Sequence, residues 1–103
     1  MDERESGLLR AIRELAAWSG WLCYHCYESR RSPEGFPDLV LARPQDALIF
    51  AELKSLRGRV RPEQQQWLQT ILEAQGPPEA YVWTPTDWGA VEARLLRGRQ
   101  VRP

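Results

Sequence analysis

The chain has 103 residues, which is enough for one domain, over residues 1–103, and leaves no room for a second hydrophobic core. Fourteen basic and fourteen acidic residues cancel, so the overall composition lacks the positive charge excess typical of nucleic-acid-binding proteins. The sequence has no apolar run long enough to span a membrane, and its charged N-terminus is not that of a signal peptide.

The first predicted element is a helix over about Glu3–Ser19, because apolar residues recur there at the spacing of one helical face. Gly20 is a typical residue at the C-terminal end of a helix. Glu5 lies three and four residues before Leu8 and Leu9, so it continues the apolar stripe rather than the solvent face.

Three strands are predicted next, over Trp21–Tyr27, Asp38–Ala42 and Ala47–Lys54. A Ser-, Pro- and Gly-containing loop, Glu28–Pro37, separates the first two, and the turn Arg43–Asp46 joins the second and third into a hairpin. The short connections indicate that these strands are antiparallel. The third strand is apolar on both faces apart from one charged pair, which indicates a central position in the sheet.

The basic loop Ser55–Arg61 leads to a second helix over about Pro62–Gln75, a short strand over Ala80–Trp83 and a last helix that ends near Arg97. The third strand, second helix and fourth strand form a predicted crossover unit. The element order is therefore αβββαβα. The predicted fold class is α/β (α+β), with a mixed four-stranded sheet flanked by helices.

The segment CYHC places the only histidine, His25, between the two cysteines, Cys23 and Cys26. A structural zinc site needs four ligands, and the chain has no second cysteine pair. Side chains three apart on a strand also point to opposite faces. We therefore interpret the cysteines as buried strand residues and His25 as a structural histidine in the middle of a strand. Two cysteines in this context indicate a reducing compartment.

Three charged residues lie at one end of the predicted hairpin. Glu52 and Lys54 point to the same face of the third strand, and counting back from the turn places Asp38 opposite Lys54 to within two residues. Buried charges are unfavourable unless they are paired or bound to an ion, and two close carboxylates repel. A divalent cation relieves that repulsion, since magnesium prefers oxygen ligands. Alternatively, Glu52 and Lys54 are solvated residues at a strand end and Asp38 caps a turn.

The pattern Pro37, Asp38, then Glu52, Leu53, Lys54 resembles the PD-(D/E)XK nuclease superfamily. The sequence resembles the VRR-NUC (virus-type replication-repair nuclease) family over nearly its whole length. The resembling segments are GW (20–21), YHCYESRRS (24–32), GFPDLVLARP (35–44), FAELKS (50–55), PEQQQWL (62–68) and VWTPTDW (82–88). The resemblance implies that the chain has a restriction-endonuclease-like core and is a DNA endonuclease that depends on Mg²⁺ or Mn²⁺. It also implies that the protein acts in the cytoplasm of a bacterial or phage-infected cell.

The resemblance also implies roles for individual residues. Asp38 and Glu52 would hold the metal together with the backbone carbonyl of Leu53. Lys54 would assist the nucleophilic water. Glu5 matches a glutamate that the family usually adds from the first helix, with possible metal contact through a water; the alternative is an exposed first-turn glutamate favoured by the helix dipole.

Gln64 matches a glutamine that the family's second helix carries toward the site. It precedes Trp67 and Leu68 by three and four residues and therefore extends a buried stripe. Arginines in two loops are candidates for contacts with the DNA backbone, although such charge runs are often ordinary solvated surface. These candidates are Arg30, Arg31, Arg57, Arg59 and Arg61.

A domain this small has little surface with which to hold DNA. We therefore expect a homodimer that presents two sites to two strands of branched DNA, such as a four-way (Holliday) junction, a substrate that the resemblance rather than the residues indicates. We expect no membrane association and no small-molecule cofactor. The alternative is a non-catalytic DNA-binding or protein-interaction module on the same fold, which the intact acids and lysine disfavour.

Overall fold

The computed structural model describes residues 4–26, 34–74, 76 and 78–98. These residues form helices and strands in the predicted order αβββαβα. The elements are α1 (Glu5–Ser19), β1 (Leu22–His25), β2 (Leu39–Ala42), β3 (Leu48–Leu53), α2 (Pro62–Glu73), β4 (Glu79–Trp83) and α3 (Trp88–Leu96). A short 3₁₀ turn, Pro85–Asp87, leads into α3. Within the described part of the chain, no helix combines the length and the apolar character needed to cross a membrane.

The four strands form one mixed sheet in the order β1-β2-β3-β4. β1 pairs with β2, and β2 with β3, in antiparallel register, while β3 and β4 are parallel. Helix α2 connects the parallel pair, as expected for a crossover unit. The predicted fold class and the interior position of β3 are therefore confirmed.

The main hydrophobic core lies between one face of the sheet and helices α1 and α3. Its buried members include Leu8, Ile12, Ala16, Leu39, Leu41, Ile49, Ala51, Leu53, Val91 and Leu95. Helix α2 lies on the other face, because its Gln64 contacts Glu52, which alternates along β3 with the core residues Ala51 and Leu53. The sheet is thus the middle layer, and Glu52 points away from the main core.

Strand β1 is shorter than predicted, and its residues are less buried. It ends at His25, so this histidine is at the end of the strand rather than in its middle. Cys23 and Cys26 are half-buried rather than buried, and neither forms a disulfide. Among the described strands, β1 is at the edge of the sheet and pairs only with β2, which explains the lower burial.

An ion-pair network around the buried Arg94 holds the other end of the sheet, near the β2–β3 turn. Arg94 of α3 is 7% exposed, donates to Glu79 at 2.7 Å and to Asp46 at 3.0 Å, and lies over the ring of Trp21. Arg43 at the end of β2 donates to Asp46 as well. Because the buried charge of Arg94 is paired with two partly exposed acids, this network is structural, and it anchors the hairpin that carries the acidic residues at its opposite end.

Candidate active site

The β2–β3 register brings Asp38 and Glu52 together. Leu39 pairs with Ala51 in the antiparallel register. Asp38 directly precedes Leu39 and Glu52 directly follows Ala51, so the two acids lie opposite each other on neighbouring strands. The Asp38 Oδ2 atom accepts a hydrogen bond from the Leu53 N–H at 2.9 Å. The Asp38 carbonyl accepts one from the N–H of Cys26, at 3.0 Å. Both neighbouring strands therefore fix Asp38, at the position that counting from the turn indicates.

Glu52 is the most deeply buried acid at this end of the sheet, with 2% of its surface exposed. Its Oε2 atom lies 3.1 Å from Lys54 Nζ and accepts a hydrogen bond from Gln64 Nε2 at 2.6 Å. Its other oxygen, Oε1, is also buried and has no hydrogen-bond partner among the described residues. One oxygen is thus fully engaged by the protein, while the other has unused capacity to accept a donor or bind a cation.

The environment of Glu52 makes its charged form unfavourable. Burial raises the pKa of Glu52 from its ordinary value of 4.5 to about 7, and the negative charge of Asp38 adds to the rise, whereas Lys54 opposes it. Two carboxylates that share one desolvated site repel each other, and one lysine compensates only part of that repulsion. The site therefore favours either a proton on Glu52 or an additional positive charge.

This pKa predicts a pH-dependent loss of stability in the absence of divalent ions. Because the pKa in the folded state (about 7) exceeds the ordinary value of 4.5, the native protein binds more protons than the unfolded chain between these values. The free energy of unfolding should therefore fall as pH rises through this window. We expect Glu52→Gln to remove about 2 to 3 kcal/mol of the decline between pH 4.5 and 8.

Urea denaturation of wild type and Glu52→Gln in EDTA, at pH 4.5, 6 and 8, measures this difference. The comparison between the two proteins isolates Glu52, because every other titrating group is present in both. Parallel stability curves over the whole range would show that Glu52 is not the source of the decline.

Gln64 links the start of α2 to Glu52. Its side chain is 6% exposed, donates to Glu52 through Nε2, and accepts the Arg61 N–H at 2.8 Å through Oε1. The amide is therefore used at both ends, and the side chain joins the basic loop before α2 to the buried acid. This geometry makes Gln64 a positioning residue for Glu52.

We expect Gln64→Ala to lower the free energy of unfolding by about 2 kcal/mol, because the change removes two hydrogen bonds and leaves a buried carboxylate with one partner fewer. The matched control is Gln65→Ala, since Gln65 is the neighbouring glutamine and is exposed on the same helix. A change of less than about 0.5 kcal/mol is expected there. Equal losses in the two variants, measured by urea denaturation, would contradict the assigned role.

Glu5 lies in the first turn of α1, within electrostatic range of the site. It continues the stripe of Leu8 and Ile12, as its spacing predicts, but it is exposed because the helix begins there. Partial burial raises the pKa of Glu5, the charge of Asp38 raises it further, and Lys54 lowers it. Glu5 therefore shares an electrostatic environment with Asp38 and Lys54. Its side chain is more exposed than its position on the apolar stripe predicts.

The candidate DNA-binding arginines fall into two groups. Arg57 and Arg59 are exposed in the loop that follows Lys54, and Arg61 is exposed with a 3.9 Å ion pair to Glu34. The structure thus presents the three basic side chains at the same end of the sheet as the acids. Arg30 and Arg31 lie outside the described residues.

Two features of the site were missed by sequence reasoning. One is the backbone N–H of Leu53 that holds Asp38, for which a sequence carries no side-chain signal. The other is the approach of Gly35 to α2: Gly35 is buried with φ +91°, and a Cβ there would come within 2.5 Å of the carbonyl carbon and oxygen of Glu63. The glycine just before Phe36 and Pro37 was the available signal for this close approach.

His25 lies beside the site but is not assigned a role in it. Its backbone pairs with Leu39 at the end of β1. Burial lowers the pKa of His25, the charge of Asp38 opposes that effect, and the charge of Arg13 adds to it. Its neutral form is therefore favoured relative to that of a free imidazole, and the structural role of His25 stays a prediction.

The acids of the site offer a divalent cation two close carboxylates. In the described ranges, no three His, Cys, Asp or Glu side chains are arranged to hold a metal ion, so Glu5, Asp38 and Glu52 do not form a three-ligand group. Magnesium, however, is commonly bound by one or two carboxylates with water and substrate phosphate. The pair Asp38 and Glu52, with the unpartnered Glu52 Oε1, fits that mode.

Comparison with known proteins agrees with this fold. A solved structure of a VRR-NUC domain superimposes with a TM-score of 0.65 at 20% sequence identity, covering 92% of this chain and 98% of that chain. A search of curated proteins finds no match. The VRR-NUC domain family model matches residues 3–82, a range that includes the acids, the lysine and the glutamine of the candidate site. The chain therefore belongs to the VRR-NUC domain family and is a nuclease-type DNA-processing module.

Proposed function

We propose that this protein is a DNA endonuclease that depends on Mg²⁺ or Mn²⁺, and that as a homodimer it cuts branched DNA such as four-way (Holliday) junctions. The observation that carries the proposal is the burial of Glu52 beside Asp38, where one of its carboxylate oxygens accepts no hydrogen bond from the part of the chain that the structure describes. Such a pair is unfavourable in the absence of a cation. A nuclease in which these acids bind metal explains why they occupy this position.

Asp38 and Glu52 would hold the metal together with the backbone carbonyl of Leu53, and Glu5 would contact it through a water. A bound divalent ion supplies Lewis-acid polarisation of the scissile phosphate and lowers the pKa of bound water. The hard oxygen donors of this set are those that Mg²⁺ and Mn²⁺ prefer. The Leu53 N–H and the Gln64 amide hold the two carboxylates in place, so little reorganisation is needed when the cation binds.

Lys54 is a positively charged side chain that the protein itself places beside the two acids. Its ammonium group lies 3.1 Å from Glu52 Oε2, and its side chain is 14% exposed. The ion pair holds the lysine on the face that carries the acids. From there it orients the attacking water by hydrogen bonding and stabilises the negative charge that develops on the phosphate.

The exposed loop that follows Lys54 is suited to hold the DNA backbone. Arg57, Arg59 and Arg61 place positive charge next to the acids, and phosphate contacts of this kind position the strand without reading its sequence. Arg30 and Arg31, which precede the hairpin in the sequence, are also proposed to contact the DNA backbone. We find no insertion between the described elements long enough to form a separate base-reading element. The proposed specificity is therefore for DNA shape.

The test is cleavage of a four-way junction and of a linear duplex of the same arm sequence, in Mg²⁺, in Mn²⁺ and in EDTA. Wild type should cut the junction with either metal at least about ten times faster than the duplex, and should cut nothing in EDTA. Asp38→Asn, purified in parallel, controls for a contaminating nuclease. A wild type that cuts no DNA with either metal would overturn the enzyme proposal. Equal rates on the two substrates would overturn only the junction preference.

The second candidate function is a non-catalytic DNA-binding or protein-interaction module on the same fold. The observation in its favour is that the described residues contain no three-side-chain metal group. Such a module has no need for a cation, so Mg²⁺ and Mn²⁺ should leave its thermal stability unchanged. The metal dependence of stability therefore separates the two candidates without any DNA substrate.

A further inference from the structure

The segment that leads into β2 lies against Trp67 of helix α2. The indole N–H of Trp67 donates a hydrogen bond to the backbone carbonyl of Glu34 at 3.2 Å. The rings of Phe36 and Trp67 are in edge-to-face contact, with their centroids 5.1 Å apart. Edge-to-face aromatic pairs of this kind contribute more than the area that they bury. Trp67 therefore holds the segment twice, through its polar atom and through its ring.

The other residues of this segment are confined as well. Gly35 approaches the backbone of Glu63 in the first turn of α2, where an added Cβ would lie 2.5 Å from the carbonyl carbon. Phe36 makes a second edge-to-face contact, with Phe50 of β3, at 6.2 Å between ring centroids. Pro37 is fully buried. Each residue from 34 to 37 thus has a contact that limits its movement, and the chain enters β2 from a fixed direction.

Asp38 is the residue that follows this segment directly. Its carboxylate accepts the Leu53 N–H at 2.9 Å, and its own carbonyl accepts the N–H of Cys26. The net free energy of a single hydrogen bond of this kind is modest. The orientation of the Asp38 carboxylate therefore depends on how firmly the backbone that carries it is held.

Helix α2 reaches both acids of the candidate site. Gln64 and Trp67 are three residues apart and lie on one side of the helix, one turn from each other. Gln64 donates to the Glu52 carboxylate, and Trp67 contacts the segment that precedes Asp38. The two carboxylates belong to neighbouring strands, yet one helix is tied to both. A rigid element of this kind can fix the separation that a shared cation requires.

We propose that Trp67 is a positioning residue for Asp38. Its indole fixes the segment before β2, and that segment in turn keeps the Asp38 carboxylate on the Leu53 N–H. Trp67 acts through the backbone and does not itself take part in the chemistry. The inference deepens the proposed function, on which it rests for its purpose, because it names what holds the second carboxylate opposite Glu52. The alternative is that Trp67 contributes only to general packing.

The test is amide hydrogen exchange at the Leu53 N–H, followed by NMR in EDTA and without DNA. This proton reports directly whether the Asp38 carboxylate is in place. The reference is the Trp21 N–H, which donates to the Ala16 carbonyl at 2.9 Å at the C-terminal end of α1. A general loss of stability raises exchange at both amides, whereas a displaced Asp38 raises it at Leu53 alone. The ratio of the two exchange rates therefore separates positioning from packing.

Two variants of Trp67 divide its contacts. Trp67→Ala removes both the ring and the N–H, and should raise the exchange ratio by about tenfold or more. Trp67→Phe keeps a ring beside Phe36 but lacks the N–H, so the ratio should rise by about threefold. The matched control is Trp18→Ala. Trp18 is 65% exposed and lies on α1, across the sheet from α2, so its replacement should leave the ratio unchanged.

The outcomes separate the positioning role from the nuclease activity. An unchanged ratio in Trp67→Ala would overturn the role even if the protein cuts DNA. Where Trp67→Ala does not fold, an unchanged ratio in Trp67→Phe overturns it instead. A raised ratio in the Trp67 variants, with none in Trp18→Ala, would support the role even if no DNA is cut, because the measurement uses neither metal nor substrate.

Discussion

Replacing Glu52 by glutamine is expected to reduce the rate of DNA cleavage by about 1,000-fold or more and to abolish stabilisation by Mg²⁺ and Mn²⁺. A factor of 1,000 corresponds to about 4 kcal/mol of transition-state stabilisation, within what a bound catalytic metal provides. Glutamine keeps the shape of the side chain, so the contact with Gln64 can persist. What it removes is the negative charge beside Asp38 and the carboxylate oxygen that has no hydrogen-bond partner among the described residues.

The effect on metal binding has its own physical reason. In the wild type, burial and the charge of Asp38 raise the pKa of Glu52, and a divalent ion gains the attraction of two carboxylates when it replaces the proton. Mn²⁺ should therefore raise the melting temperature of wild type, and more at pH 8 than at pH 5.5. In Glu52→Gln one carboxylate remains and the shift should disappear. Thermal denaturation with a metal titration at both pH values measures it.

The matched control for this substitution is Glu73→Gln. Glu73 is an exposed acid at the far end of α2, where it accepts a hydrogen bond from Gln69. Its replacement should leave the cleavage rate within about twofold of wild type and preserve the metal shift. Cleavage by Glu52→Gln at more than about a tenth of the wild-type rate would show that this carboxylate does not hold the catalytic metal. A metal shift that survives the substitution would place the cation elsewhere.

The fold could be predicted from the sequence because its signals are local. The recurrence of apolar residues in α1 and α2, the turn residues between β2 and β3, and the short connections determine element order and the antiparallel pairing. The exposure of one face of β1 was not predictable in the same way. An aromatic-rich strand gives no local sign of whether another layer packs on its face. Leu22 and Tyr24, which share one face of β1, are exposed here.

The candidate site was predictable to the extent that it depends on register and periodicity. Counting along the hairpin predicts that Asp38 lies near Glu52, and helical spacing predicts that Gln64 points inward; the structure places both residues in this way. The unpartnered Glu52 oxygen and the backbone donor to Asp38 depend on tertiary geometry, which side-chain patterns do not encode. The exposure of Glu5 depends on where the helix begins relative to the sheet, a boundary that periodicity defines only to within a few residues.

The largest effect on stability is expected from Gly35→Ala, at about 3 kcal/mol of lost unfolding free energy. Gly35 has φ +91°, a conformation that is unfavourable by about 1 to 2 kcal/mol for a residue with a side chain. The added methyl group would also lie 2.5 Å from the backbone of Glu63, which cannot move without displacing the first turn of α2. Strain and overpacking therefore act together at this position.

Gly89→Ala is the matched control for that substitution. Gly89 lies in α3, and beyond its chain neighbours and the adjacent helix backbone no atom of the described residues comes within 4 Å of an added Cβ. The Gly89→Ala variant should therefore be more stable than wild type by about 0.5 to 1 kcal/mol, because alanine is the better helix former. Urea denaturation of both variants measures the contrast, and a loss of less than about 1 kcal/mol for Gly35→Ala would contradict the close approach.

Gly35 is the point of contact between the loop that leads to Asp38 and the helical turn that carries Gln64. Its replacement should therefore also slow cleavage under conditions where the variant is still folded, whereas Gly89→Ala should not.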